Sequence, residues 1–247
     1  MKIQSKLIFF LFLFFHFSMN GQNAMDTTIS DTATTSTLII NDTLKPSVTK
    51  KIIPINHRLF IGMDIGRLAY NFYNLNNQSY DFQLCYNHNA KNYWTIESGF
   101  GRGKVDLDFL KYNADAMYLK FGMDRSLIDI RNERDFDIAF MGFRYGAAFG
   151  NRGAATYSIV SPFGNDVTGS IDAKTFFKHW GEITAGMRLE VQKRIHIGWV
   201  GRAKFAFNGN ATTELTPSFI PGYGSGDKTT VFDIGLLLSY AISEWKK

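Results

Sequence analysis

The 247-residue sequence contains one cysteine, Cys85, so no intrachain disulfide can staple the fold. It has only five prolines, and after Phe17 no stretch approaches the ~18 consecutive apolar residues that a membrane helix needs. His57, His88, His179 and His196 are scattered without metal-ligand spacing, and no cofactor motif is present, so neither a metal nor a cofactor is expected. What the chain does have is 23 Phe and 22 Gly. That mixture favours a strand-rich, glycine-punctuated protein over a helical one. A net charge of +5 would suit a nucleic acid, but the chain starts as exported proteins do, and no nucleic-acid partner is expected.

The start reads MKIQSKLIFFLFLFFHFSMNGQ. Lys2 and Lys6 precede an apolar run from Leu7 to Phe17, and small or polar residues follow at Ser18–Gly21. Eleven residues cannot cross ~30 Å of hydrocarbon as a helix, so residues 1–21 are expected to be a cleaved signal peptide. Residues 22–57 are rich in Thr, Ser and Asp and show no sustained period, which reads as a flexible periplasmic tail. The short apolar pieces TLII (37–40) and KKIIPI (50–55) are spacer, or else segments that dock on a partner or plug a barrel.

From residue 58 the pattern changes. In HRLFIGMDIG, Leu59, Ile61, Met63 and Ile65 alternate with Phe60, Gly62, Asp64 and Gly66, the period of two of a β-strand. Seven more such runs follow, near 80–87, 94–101, 116–123, 139–146, 182–190, 196–205 and 231–240. One parity is oily and carries no charge in the central part of any run. An Arg or Lys there would cost ~2–4 kcal/mol at a bilayer midplane. The other parity carries Asp64, Asp81, Glu97, Lys120, Arg144, Glu182, Arg188, Glu190, Arg202, Lys204 and Asp233, together with ten glycines. A solvent face has no need of so many glycines, whereas the narrow interior of tilted strands does. The expected fold is therefore an all-β, eight-stranded, antiparallel up-and-down transmembrane barrel over residues 58–247. Its oily face looks out to lipid, and its lumen is filled by a paired charge network rather than an aqueous channel.

With the tail in the periplasm, strands one, three, five and seven run outward. Long connections are then expected at 70–79, 102–114, 149–179 and 207–229, and short turns at NHNAKN and VQKR, with a medium one near 124–135. Loops 149–179 and 207–229 mix aromatics with Gly and Pro and read equally as recognition surfaces or as caps. Tyr70, Tyr93, Trp94, Trp180, Tyr240 and Trp245 are expected in interfacial girdles. A lipid-modifying enzyme is the sharper alternative, with His179, Glu182, Ser158, Ser161 and Ser170 as the only candidates near the outward rim. His179 and Glu182 stand three apart in a strand, so they face opposite ways and cannot form a dyad. No catalysis is expected. A soluble, lipocalin-like periplasmic binder is the second alternative.

The stretches RLFIGMDIGRLAY, GMRLEVQKRIHIGWVGRAKFAF and TTVFDIGLLLSYAISEW carry a resemblance to small eight-stranded outer-membrane barrels of the OmpA/OmpX-like kind. More narrowly, the chain resembles an uncharacterised outer-membrane barrel family of Gram-negative bacteria, over roughly residues 58–245. One departure is that Trp245 is followed by Lys246 and Lys247, where such barrels often end on an aromatic residue. The resemblance implies a location in the outer membrane with both termini periplasmic and contact with its lipid. It also implies a role as scaffold or accessory subunit beside a protein partner, and it supplies no catalytic residues.

Overall fold

A computed structural model describes residues 56–89, 91–128, 137–160, 162, 164–209 and 214–246; the expected signal peptide and nearly all of the expected tail lie outside these residues. Twelve strands and one helix run in the order β1 (Asn56–Asp64), α1 (Ile65–Tyr73), β2 (Asn77–Asn87), β3 (Asn92–Leu107), β4 (Leu110–Ser126), β5 (Ile138–Arg152), β6 (Ala155–Ile159), β7 (Val167–Ile171), β8 (Lys174–Gln192), β9 (Ile195–Ala206), β10 (Phe219–Ile220), β11 (Gly224–Ser225) and β12 (Thr230–Lys246). The first strand begins two residues before the expected boundary at 58.

Eight strands close into a barrel in the order β3-β2-β1-β12-β9-β8-β5-β4, with β4 returning to β3. All neighbours are antiparallel, and β1 joins β12 from Asn56↔Lys246 to Asp64↔Leu237. The circle of pairing leaves no free strand edge except above Asp64, where β1 stops short of β2 and β12. The oily parity points outward throughout: Ile61, Leu84, Ile96, Phe121, Phe143, Ile183, Leu236 and their row-mates are exposed. The charged and glycine parity points inward, where Gly146 leaves room for the Trp180 ring and Gly235 for Asp64 and Arg202.

Three connections differ from expectation. The stretch at 102–114 is a hairpin rather than a loop: β3 and β4 stay paired through Leu107↔Leu110 around a turn at Asp108–Phe109. The period of two persists there, but the outward residues become Arg102, Lys104 and Asp106, and the cross-strand ion pairs Arg102–Asp115 and Asp106–Lys111, with Lys104–Asp106 along β3, replace the oily rows. Loop 149–179 shrinks between longer strands, and inside it β6 and β7 form a hairpin that adds to the top of β4.

The third difference is α1. Ile65 and Gly66 belong to this helix and not to the first strand. Asp64 stops the strand because its carboxylate caps the helix, accepting from Arg67 N at 2.9 Å. The same carboxylate accepts from Leu236 N at 3.2 Å on β12. Across the gap, Asn71 both donates to Ser79 O (2.8 Å) and accepts from Ser79 N (3.0 Å) on β2. Above Asp64 the helix thus replaces β1 as a stave. The Asp64 and Asn71 side chains meet backbone groups that a tenth and an eleventh strand residue would otherwise have met. Its polar residues face the protein, while Phe72 and Tyr73 are 84% and 89% exposed.

Candidate functional site

The lumen is the candidate site, and it is layered. At the short-turn end, Phe60, Cys85, Tyr93, Ile138, Phe140, Val200, Leu237 and Ala241 form an apolar floor. Above it lies a layer of ions. At the long-connection end, Ala116, Tyr118, Ala148, Phe176 and Trp180 pack against Ile220 and Tyr223, which come from the 207–229 connection.

The ion layer hangs on three central cations. Lys120 Nζ lies 3.1 Å from both Glu97 and Glu182. Arg144 pairs with Glu97 and, at 2.9 Å, with Asp124. Arg202 reaches Asp64 and Glu182 at 3.5 Å and Glu97 and Asp233 at 3.6 Å. A side branch runs from Lys204 to Asp233 (3.0 Å), on to Arg67 (2.8 Å), and from Arg67 to Asp81 (3.3 Å). Neutral donors complete the shell: Gln83 donates to Glu97, and Thr95 and Thr184 donate to Asp124. Every one of these six carboxylates has a cation, as buried charge requires.

Of the eleven inward-parity charges expected from sequence, nine are joined in this layer: Asp64, Asp81, Glu97, Lys120, Arg144, Glu182, Arg202, Lys204 and Asp233. Arg188 and Glu190 are the exceptions. Arg188 points inward but lies in the apolar floor, its guanidinium 5.2 Å from the Phe60 ring and 3.4 Å from Cys85 Sγ. Its Nε and Nη2 have no hydrogen-bond partner among the described residues. Glu190, on the same parity, sits at the short-turn rim 3.9 Å from Arg58. Arg67 and Asp124 take part unexpectedly. Asp124 was one step beyond the fourth run on the same parity, whereas Arg67 reaches the lumen only because α1 exists.

Two aromatics expected in the girdle are corrected. Tyr93 and Trp180 are buried in the lumen at 1% and 0% exposure, because each occupies the inward parity of its strand. Trp94, Tyr70 and Tyr240 do face outward; the side chain of Trp245 lies outside the described residues.

Residues 214–229 of the last long connection form a lid. Ile220 and Tyr223 are fully buried on Trp180 and Tyr118, and Gly222 takes a φ of 76° against the Tyr118 ring, where a side chain would clash. Lys178 donates to Gly209 O and Gly226 O from β8, and Lys204 donates to Tyr223 O at 3.1 Å, so the lid is latched to the ion layer. Burial pushes the Tyr223 phenol up, and the Ser225 hydroxyl holds the Asp227 carboxyl below its ordinary range.

The enzyme candidates do not converge. His179 faces out, bonded to Tyr145 Oη (3.0 Å) and stacked on Phe177, while Glu182 faces in toward Lys120 and Arg202. Ser158 and Ser170 lie in the β6–β7 hairpin, and Ser161 lies outside the described residues. Among the described residues, no group of three or more His, Cys, Asp or Glu is placed to hold a metal.

Fold and lumen together define a closed eight-stranded antiparallel barrel with an ion-paired, lidded interior. The chain belongs to the DUF6048 family, a domain of unknown function, which it matches over residues 3–247. Comparison with curated proteins and with solved structures gives no match.

Proposed function

We propose that this protein is an integral outer-membrane barrel without catalytic activity, serving as a scaffold or accessory subunit through its projecting connections and N-terminal tail. One observation carries the reading: the polarity of the barrel is inverted, with ions inside and a continuous exposed apolar wall outside. A water-soluble lipocalin-like barrel would expose the charges and bury that wall. The wall also has the right height. On β5 the outward apolar residues run from Ala139 to Phe149, and on β12 from Phe232 to Ile242. Ten steps of ~3.3 Å, tilted by about 40°, rise ~25 Å, the height of a barrel's lipid-facing band. The helix α1 obeys the same inversion, with Asn71 and Arg67 inward and Phe72 and Tyr73 outward.

A closed lumen supports a structural role over conduction. The apolar floor, the ion layer and the lid are three successive seals, and among the described residues the features that project are the β3–β4 hairpin and the β6–β7 hairpin. An outer-membrane protein partner is the expected contact of these elements.

The test is topological. In a Cys85→Ser background, single cysteines at Leu84, Phe121 and Leu236 are expected to react with hydrocarbon-confined reagents and resist aqueous ones. Modification of all three by aqueous reagents would overturn the membrane reading. Carbonate washing of separated membranes is expected to leave the protein in the outer-membrane fraction. Gentle detergent extraction is expected to bring down a stoichiometric partner; a lone monomer would remove the subunit role.

A further inference from the structure

The outward surface changes character abruptly at one level of the barrel. Following the register across the sheet, Gln78, Arg102, Asp115, Asn151 and Thr175 are direct neighbours on β2, β3, β4, β5 and β8. Two residues lower, Tyr80, Phe100, Met117 and Phe149 are likewise neighbours. One row is wholly polar and the other wholly apolar or aromatic. Between them lie Gly101, Ala116 and Gly150, whose positions point inward, so backbone forms the floor. The result is a trough of about 530 Å³ along the outside of the barrel, lined by both rows.

The chemistry of the rows selects the occupant. The lower wall is apolar or aromatic, with the Tyr80 hydroxyl as its polar atom, so the occupant is amphipathic and lies with its apolar part toward the barrel's waist. The upper wall offers amide donors at Gln78 and Asn151 and a hydroxyl at Thr175, groups that suit ester carbonyls. At its centre, Arg102 and Asp115 form a 2.6 Å ion pair with side chains 64% and 58% exposed. An exposed pair of this kind contributes little to stability and opens at small cost. Opened, it presents one cation and one anion side by side. A purely anionic headgroup would meet the Asp115 carboxylate; a headgroup with a phosphate beside an ammonium satisfies both.

We propose that this trough holds a lipid whose headgroup carries a phosphate and an ammonium together, with phosphate on Arg102, ammonium on Asp115 and acyl chains over Phe100, Met117 and Phe149. The assignment rests on the membrane reading above, since only a lipid-embedded barrel presents this wall to lipid.

The probe is phosphatidylethanolamine against phosphatidylglycerol. The full chain is inserted into mixed vesicles of the two, insertion is verified by a protease-resistant, heat-modifiable band, and the lipids retained after gentle extraction are counted by native mass spectrometry. The wild-type protein is expected to retain phosphatidylethanolamine over phosphatidylglycerol by about five-fold, the ratio that one modest polar contact provides. Arg102→Gln/Asp115→Asn is expected to abolish the preference, Asp115→Asn alone to turn it toward phosphatidylglycerol, and Thr175→Trp to reduce retention of both. An inserted wild-type protein with no preference, with a preference for phosphatidylglycerol, or with one unchanged in the double variant, overturns the site and leaves the membrane reading standing. A wild-type protein that fails to insert overturns both.

Discussion

Arg202 touches four carboxylates, Asp64, Glu97, Glu182 and Asp233, at 3.5–3.6 Å, and its side chain is 4% exposed. Replacing it with Met keeps the bulk and removes the charge. At an effective dielectric of about 20, each contact is worth roughly 5 kcal/mol of gross attraction. Desolvation of the guanidinium and repulsion from the neighbouring cations cancel most of that sum. What remains is the cost of stranding buried carboxylates, about 3–5 kcal/mol when one partner of a buried pair is lost. In charge terms, five cations (Arg67, Lys120, Arg144, Arg202, Lys204) face six anions (Asp64, Asp81, Glu97, Asp124, Glu182, Asp233). Arg202→Met leaves four against six, and adding Glu182→Gln restores the excess to one. Urea unfolding of the vesicle-inserted barrel, followed by tryptophan fluorescence, is expected to show the single variant weakened by about 3–5 kcal/mol, two to four decades in the folding equilibrium. The double variant is expected to recover at least about 1 kcal/mol of that loss, as coupled neighbours do. A loss below about 1 kcal/mol with no rescue would mean the ions are hydrated and screened, and the sealed-lumen argument would fall.

Arg188 provides the opposite expectation. Its guanidinium lies in the apolar floor with no ion-pair partner among the described residues and only the more distant Asp124 carboxylate acting on it, so Arg188→Met is expected to be neutral or stabilising in the same unfolding assay. Asn71→Ala removes both bonds to the Ser79 backbone and leaves that edge of β2 unmet, for an expected loss of about 2–3 kcal/mol and faster amide exchange at Ser79. Gly235→Ala places a methyl against the Asp64 carboxylate and the Arg202 guanidinium; a loss of about 1–3 kcal/mol is expected from the forced shift. Deleting residues 214–229 is expected to keep the heat-modifiable band while admitting aqueous thiol reagents to a cysteine at Ala148, which an intact lid shields.

Much of this architecture is legible in the sequence because a closed barrel makes one demand on every strand, and alternation records it. The outward row from Ile61 to Tyr240 and the nine of eleven inward charges that join the ion layer follow from parity alone. Parity extended by one residue places Asp124 and Tyr93 inside, and by two Trp180; a strand end reads as interfacial for the two aromatics and as a turn for Asp124, while the pattern itself holds. The β3–β4 hairpin was hidden for a different reason. Above Phe100 the chain keeps its period of two while its outward face exchanges apolar for charged residues. Oily alternation therefore ends before the strand does. The lid could not be read locally, since Ile220 and Tyr223 look like ordinary loop residues until Trp180 and Tyr118 are known to wait beneath them.

The helix joins these threads. A strand continuing from Met63 through Ile65 would have kept the alternation and closed the wall with backbone pairs. Instead Asp64 turns the chain, and two short side chains, Asp64 and Asn71, take over bonds to β12 and β2. The exchange frees a helix to send Arg67 inward, where it bridges Asp81 and Asp233. Without Arg67, Asp81 would have no cation in the ion layer, and Asp233 would depend on Lys204 and Arg202 alone. An ionic interior and an apolar exterior are thus maintained by two different secondary structures at the same height. That agreement between α1 and the strands supports the proposed membrane setting, because a helix on a water-soluble protein would turn Phe72 and Tyr73 inward and Asn71 and Arg67 out.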